Sequence, residues 1–142
     1  MPRLLFLNLP VADLPASREF FAELGFEFNE NFCDDGAACM IVSDKAYVML
    51  LERDRFAEFV TKLVADATAG TALTVAISAD DRDAVDAFAA AALAAGAGAA
   101  KDPQDYGFMY QRSFHDPDGH LWEVAWMDPV AKGPAEFAAE SN

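Results

Sequence analysis

The polar side chains with the clearest chemical potential lie in the last third of the chain. Glu123 is the only charged residue in an otherwise apolar run at 121–127, and Gln111 and Ser113 precede it at alternating positions. A carboxylate in such surroundings can act as a general base, accept hydrogen bonds from a bound molecule, or pair with its neighbours. A lone carboxylate rarely defines an active site. Catalysis by Glu123 is therefore a hypothesis that stands beside ligand binding and a structural role.

The histidines and cysteines lack the spacing of a metal site. His115 and His120 flank a turn, and Cys33 and Cys39 lie close together without a CxxC or His-linked pattern. We expect surface or structural histidines and two reduced thiols, as in a cytoplasmic protein.

The composition excludes several classes of partner. The 142 residues carry a net charge of −14 with only ten scattered Lys and Arg, so a nucleic acid would be repelled. The apolar runs are too short for a signal peptide or a membrane span. The hydrophobic fraction of 54% is sufficient for a packed core in one domain. We therefore expect a cytoplasmic protein whose partner is a small molecule, not a nucleic acid or a membrane.

One order of elements occurs twice along the chain. The first half predicts a strand at 4–9, a helix from Asp13 to Gly25, strands at 26–32, 37–42 and 47–51, and a linker helix at about 54–64. The second half predicts a strand at 71–78, a helix at 81–95 capped by Asp80 and ended by Gly96, and strands at 108–114 and 121–127. Residues 128–142 contain two prolines and a glycine and are expected to form a flexible tail.

This repeat predicts an α+β fold built from two tandem βαβββ modules, at about 1–52 and 71–127, within a single domain of residues 1–127. Each module alone would leave one face of a small sheet uncovered, so we expect the two modules to share a surface.

Alternation of side chains divides each predicted strand into two faces. One face is uniformly apolar, as expected beneath helices, and comprises Leu5, Leu7, Leu9, Val48, Leu50, Leu73, Val75, Ile77, Trp122, Val124 and Trp126. We interpret the opposite face as a concave pocket, because aromatic and Met side chains there are poorly suited to open solvent. The alternative is an ordinary exposed sheet face. The pocket face includes Phe6, Asn8, Tyr47, Met49, Thr74 and Glu123.

The turn at 116–119, Asp-Pro-Asp-Gly, predicts the register of the last hairpin. A type I turn with a left-handed Gly119 makes a three-residue loop, which places Ser113 opposite Glu123. A four-residue loop would place Arg112 there instead. We prefer the first register, which puts Tyr110, Arg112 and Phe114 on the face of Trp122.

Two segments carry a resemblance to a known superfamily. Val-Ala-Asp-Leu at 11–14, the phenylalanines at 20–21 and Leu-Gly-Phe at 24–26 form the first, and Phe-His-Asp-Pro-Asp-Gly-His-Leu-Trp-Glu at 114–123 forms the second. They resemble the opening helix and closing hairpin of the vicinal-oxygen-chelate superfamily, which includes glyoxalase I, extradiol dioxygenases, fosfomycin-resistance enzymes and bleomycin-binding proteins. Asn-Leu-Pro-Val at 8–11 and Ala-Ala-Cys-Met at 37–40 are similar to bacterial proteins labelled predicted lactoylglutathione lyases.

The resemblance implies paired modules around a U-shaped cleft, commonly in a homodimer. It also implies, in the enzymes, a divalent metal held by His, Glu or Gln at four strand positions, which fall here on Phe6, Met49, Thr74 and Glu123. Such a metal needs three or four N or O donors, and only Glu123 is a suitable ligand type. We therefore expect no metal ligands and no cofactor, with a divalent metal kept as the alternative.

Three functions remain open at this point. The first is a metal-free small-molecule-binding protein of the glyoxalase/bleomycin-resistance kind with a degenerate metal site. The second is a metal-dependent lyase, isomerase or dioxygenase such as lactoylglutathione lyase, and the third is a metal-free enzyme that uses Glu123 as a base. Whether the protein is an enzyme is left undecided. The predicted ligand contacts are Phe6, Asn8, Tyr47, Met49, Thr74, Gln111, Ser113 and Glu123.

Overall fold

The computed structural model describes residues 2–130 of the chain, which divides into two units, Met1–Gly70 and Thr71–Asn142. The boundary falls between the two predicted modules. Most of the predicted tail, from residue 131 onward, lies outside the described residues. Within residues 2–130, no helix is both long enough and apolar enough to cross a membrane.

The first unit contains a four-stranded mixed sheet. Its strand order is β1-β4-β3-β2, with β1 parallel to β4 and the other pairs antiparallel. Its elements along the chain are β1 (Leu5–Val11), α1 (Leu14–Glu23), β2 (Glu27–Phe28), a 3-10 turn (Glu30–Phe32), β3 (Ala37–Ile41), β4 (Ala46–Glu52) and α2 (Arg53–Ala57).

Helix α1 begins and ends where its sequence signals predict. The Asp13 carboxylate accepts a hydrogen bond from the backbone N–H of Ala16 at 3.1 Å, and Pro15 occupies the first turn. Gly25 adopts φ +97°, the left-handed conformation that terminates many helices. The buried side chains of Phe20 and Phe21 join the core of the unit.

Two predicted elements of the first unit are wrong in extent. The strand predicted at 26–32 stops at Phe28, because the Asn29 side chain accepts a hydrogen bond from the N–H of Asn31 and turns the chain. The linker helix predicted at 54–64 ends at Ala57. Beyond that point Phe59 and Leu63 are exposed, so a longer helix would have no buried apolar face to stabilise it.

The second unit contains a five-stranded mixed sheet under one helix. The strand order is β5-β9-β8-β6, and β7 also pairs with β8. The β5–β9 pair is parallel, and the pairs of β8 with β6, β7 and β9 are antiparallel. The elements are β5 (Thr74–Ser78), α3 (Arg82–Ala94), β6 (Gly98–Ala99), β7 (Gln104–Asp105), β8 (Met109–His115) and β9 (Leu121–Met127). The short strands β6 and β7 were not predicted. Two mixed sheets with helices confirm the predicted α+β class.

The N-cap of α3 lies one residue later than the sequence predicts. Asp81, not Asp80, is the N-cap, and its carboxylate accepts a hydrogen bond from the N–H of Ala84 at 2.7 Å. An N-cap side chain accepts a hydrogen bond from a backbone N–H two or three residues later, and its own backbone is extended. Asp81 has an extended backbone and lies three residues before Ala84. The predicted stop at Gly96 is confirmed by its φ of +105°.

The last hairpin has the predicted register. Ser113 lies opposite Glu123, and Gly119 adopts φ +89° with its N–H donating to the Asp116 carbonyl at 2.9 Å. Phe114 stacks on Trp122, with ring planes inclined by 6° and centroids 6.4 Å apart. Both rings are fully buried, as are Val85, Ala89 and Val124 where α3 packs on the sheet.

The face predicted to lie beneath helices is only partly covered. Leu9, Val48 and Leu50 are buried, as are Trp122 and Val124. At the start of β1, however, Leu5 is 64% exposed, which contradicts its predicted burial. Leu73, which precedes β5, is exposed as well.

Candidate functional site

A concave pocket of about 430 Å³ lies on the sheet of the first unit. Strands β1, β3 and β4 supply its floor, and the segment leading through the 3-10 turn supplies a wall. Its size lies within the range of small-molecule sites, and most of its lining is apolar. The lining residues are Leu4, Phe6, Asn8, Asn29, Phe32, Cys39, Tyr47 and Met49.

Strand pairing places the floor residues in two rows. Phe6 of β1 is the register partner of Tyr47 of β4. In the next row, Asn8 pairs with Met49, which pairs in turn with Cys39 of β3. Partners in register point to the same face of a sheet, so the alternation of each strand carries all five side chains into the pocket.

The aromatic row forms a stacked pair. The ring centroids of Phe6 and Tyr47 are 5.1 Å apart, and their planes are inclined by only 14°. The Tyr47 hydroxyl donates a hydrogen bond to the Asp44 carbonyl at 3.2 Å, which helps to orient the ring. Phe6 is 50% exposed, so part of its surface is available to a ligand.

The wall is held against the floor by backbone and side-chain contacts. The N–H of Asn29 donates to the Cys39 carbonyl at 2.9 Å, and the Asn29 side chain caps the 3-10 turn. Arg18 of α1 braces the outer side of this segment: its guanidinium donates to both carboxylate oxygens of Glu30, at 2.7 and 2.8 Å, and lies over the Phe28 ring. That hydrogen bond also holds the pKa of the Glu30 carboxyl below its usual range.

The remaining predicted site residues lie on one face of the second sheet. Ser113 and Ala76 are the register partners of Glu123 on its two sides, and Thr74 is two residues from Ala76 on the same face. Ser113 Oγ accepts a hydrogen bond from the N–H of Lys101 at 3.0 Å. Gln111 donates from its amide to Gln104 Oε1 at 3.3 Å. The Glu123 side chain is half-buried.

A buried carboxylate stabilises the turn that sets this register. Asp116 Oδ2 accepts a hydrogen bond from the indole N–H of Trp122 at 3.0 Å. Asp116 Oδ1 accepts from the N–H groups of Asp118 and His120 at 2.9 and 3.0 Å. Burial raises the pKa of the Asp116 carboxyl, while the nearby His120 and these hydrogen bonds oppose the rise.

The four positions that the resemblance assigns to a divalent metal do not carry a suitable donor set. Phe6 has no donor atom, and Met49 offers only a thioether, which is a poor ligand for a hard cation. Both side chains contribute apolar surface to the pocket instead. Within residues 2–130, no group of three His, Cys, Asp or Glu side chains is arranged to hold a metal ion.

Comparison with known proteins finds a match to a family model in the N-terminal part of the chain and a similar fold in solved structures. Residues 3–43, which supply β1, α1 and most of the pocket wall, match the family described as bleomycin resistance protein-like N-terminal. No curated protein sequence matches the chain. A glyoxalase-related enzyme from Fulvimarina pelagi superposes with a TM-score of 0.77 at 19% identity, over 93% of this chain and 94% of that one. The chain has the vicinal-oxygen-chelate fold.

Other proteins with the vicinal-oxygen-chelate fold cover similar shares of the chain. TnmS3, an antibiotic binding protein from Streptomyces sp. CB03234, has a TM-score of 0.64 and 19% identity, over 89% of this chain and 97% of that one. Lactoylglutathione lyase from Agrobacterium tumefaciens has a TM-score of 0.66 and 17% identity, over 89% and 94%. These likenesses confirm the predicted resemblance and the fold.

The structure divides the predicted ligand contacts into two groups. Phe6, Asn8, Tyr47 and Met49 meet in the pocket of the first unit. Thr74, Gln111, Ser113 and Glu123 lie on one face of the second sheet. Their role in binding, and the U-shaped cleft that would join the two groups, stay predictions.

Sequence reasoning missed four residues of the pocket. Cys39 could have been found, because alternation in β3 brings it beside Met49 once β3 pairs with β4. The prediction assigned Asn29 and Phe32 to a strand at 26–32 and so missed the turn that brings them to the pocket. An Asn at the first position of a turn is a signal that could have indicated it. Leu4 lies two residues before Phe6, so the alternation of the predicted strand places it on the pocket face, although it was not among the predicted ligand contacts.

Proposed function

We propose that the protein binds a small, planar, largely apolar molecule in the pocket of the first unit, without a resident metal. The observation that carries this proposal is the stacked pair of Phe6 and Tyr47 on the pocket floor, with Phe6 half exposed. Leaving such a ring in water is unfavourable, and a flat ligand placed against it would bury that surface.

The polar groups of the pocket are few and neutral. Asn8 offers an amide that can both donate and accept hydrogen bonds, and the Asn29 amide nitrogen can donate while its oxygen caps the turn. A ligand with one or two hydrogen-bonding groups on an apolar ring system matches this lining. The net charge of −14 further favours a neutral or cationic ligand over an anion.

Similarity to TnmS3, an antibiotic binding protein, supports binding as the function. The alternative, a metal-dependent lyase, is supported by similarity to lactoylglutathione lyase. We favour binding because Phe6 and Met49 occupy two of the four implied ligand positions and supply no N or O donor. Glu123 as the base of a metal-free enzyme is not preferred, because a lone carboxylate rarely defines an active site.

The test is a fluorescence titration with the neutral fluorophore N-phenylnaphthylamine. Phe32 and Phe59 form a matched pair, because they are 66% and 71% exposed and only Phe32 lines the pocket. We expect saturable binding by the wild type. Phe32→Ala should raise Kd roughly tenfold, the effect of losing about 1.4 kcal/mol of aromatic contact. Phe59→Ala should leave Kd unchanged.

Two results would contradict the proposal. Equal effects of the two Phe substitutions would mean that the fluorophore binds to exposed apolar surface in general. Stoichiometric nickel, zinc, iron or manganese in protein purified without chelator, lost in Glu123→Ala, would favour the metal-dependent alternative.

A further inference from the structure

Two cysteines meet at the junction between the wall and the floor of the pocket. Cys33 follows the 3-10 turn, and its Sγ accepts a hydrogen bond from the backbone N–H of Cys39 at 3.4 Å. The Cys33 thiol donates in turn to the Asn29 carbonyl at 3.2 Å. Since Cys39 N is bonded directly to its Cα, the Cys33 sulfur lies within about 5 Å of that Cα, a separation that is compatible with a disulfide between the two residues.

The environments of the two thiols differ. Cys39 is 2% exposed, and burial, together with the nearby Cys33, raises the pKa of its thiol. Cys33 is half-buried and therefore more accessible. Its thiol also contacts the Arg18 guanidinium, whose pKa is raised first by Glu30 and further by Cys33. Because Cys33 is the more accessible of the two thiols, a dissolved oxidant reaches it first.

The two residues belong to segments that are held by different contacts. Cys39 is held in β3 by pairing with β4. Cys33 ends a single 3-10 turn whose residues Asn29 and Phe32 line the pocket. A covalent link between the sulfurs would tie this turn to β3 and restrict how far the pocket wall can open.

We propose that Cys33 and Cys39 form a reversible intramolecular disulfide that fixes the pocket wall against the floor. The oxidant is a low-molecular-weight disulfide. The Cys33 thiolate attacks one of its sulfurs, forms a mixed disulfide and releases one thiolate. Cys39 then loses its proton and attacks Cys33 Sγ, which expels the second thiolate. The protein loses two electrons and two protons, and the oxidant becomes two thiols.

The test uses the full chain in mixtures of reduced and oxidised glutathione. We expect the wild type to lose both free thiols and two hydrogen atoms, with a peptide in which Cys33 is linked to Cys39. Cys39→Ser should keep a single glutathione on Cys33, and Cys33→Ser should react slowly because Cys39 is buried. Two glutathiones per chain, linked dimers, or two unreacted thiols at high oxidant would overturn the proposal.

The effect on the wall is measured separately by hydrogen exchange. Oxidation should slow exchange at the amides of residues 31–33 roughly tenfold, because the turn can no longer open freely. Unchanged exchange in a chain with the disulfide would overturn the claim that the disulfide fixes the wall.

The last experiment depends on the proposed function, because it measures ligand binding. Oxidised protein should bind N-phenylnaphthylamine roughly fivefold more weakly than reduced protein, and the same affinity in both forms would contradict control of the pocket by the thiols. Absence of binding by both forms would contradict the proposed function alone, since the disulfide and exchange measurements involve no ligand.

Discussion

Phe6 stacks on Tyr47 across the parallel pair of β1 and β4, with ring centroids 5.1 Å apart. The resemblance to the vicinal-oxygen-chelate superfamily assigns the Phe6 position to a metal ligand. In this chain the same position is part of an aromatic surface that opens into a pocket. The strand geometry that would aim a ligating side chain also aims an aromatic ring, so a change of side chain alters the chemistry without altering the fold.

Replacing Phe6 should affect binding more than stability. Phe6→Ala removes half of the stack, and we expect the Kd of N-phenylnaphthylamine to rise about tenfold. Because Phe6 is half exposed, the free energy of unfolding should fall by no more than about 1 kcal/mol. Fluorescence titration and urea denaturation give the two values. Leu5→Ala is the control, since Leu5 is at least as exposed and lies on the opposite face of β1. A comparable loss of affinity in Leu5→Ala would contradict the assignment.

Removing the buried carboxylate of the last hairpin should destabilise the protein. Asp116→Ala leaves the Trp122 indole N–H and two backbone N–H groups without their acceptor. We expect the free energy of unfolding to fall by about 3 kcal/mol, measured by urea denaturation. Asp116→Asn should lose less, because its amide keeps one oxygen as an acceptor. An unchanged midpoint in the Ala variant would show that water satisfies these donors.

The same residue should give the protein a specific pH dependence. Burial raises the pKa of Asp116 in the folded state, so the folded protein takes up this proton at a higher pH than the unfolded chain. The contribution to stability is therefore fully present below the ordinary aspartate pKa of about 3.9 and is lost as the pH rises through the raised value. Relative to Asp116→Asn, the wild type should become more stable as the pH falls through this window. Urea denaturation of both proteins across that range tests this, and a constant difference would contradict it.

Two neighbouring aspartates precede α3, and only the one that caps the helix should affect stability. Asp81→Ala removes the acceptor for the Ala84 N–H and should lower the free energy of unfolding by about 1 kcal/mol. Asp80→Ala is the matched control and should have little effect, because Asp80 is exposed and precedes the cap. Thermal or urea unfolding of both variants gives the comparison. A larger loss in Asp80→Ala would show that the cap lies one residue earlier.

Local chemistry explains why some elements were predictable. Helix α1 follows from Asp13, Pro15 and Gly25, each of which acts within a few residues of its own position. The register of the last hairpin follows from the turn that precedes Gly119, because turn type and loop length determine which residues face each other. Helix α2 was predicted too long, since the length of a short helix depends on whether a neighbouring surface covers it.

The amino-acid sequence by itself determined the α+β class, the alternation of side chains along the strands and the lack of a suitable donor at Phe6 and Met49. These properties follow from side-chain periodicity, turn residues and ligand chemistry, all of which operate over short distances along the chain. Only the tertiary structure decided that Phe6 stacks on Tyr47, that Asn29 and Phe32 form a pocket wall, and that Cys33 lies against Cys39. Contacts of this kind depend on strand order and on where the chain turns, and many pairings between strands are compatible with the same alternation of side chains.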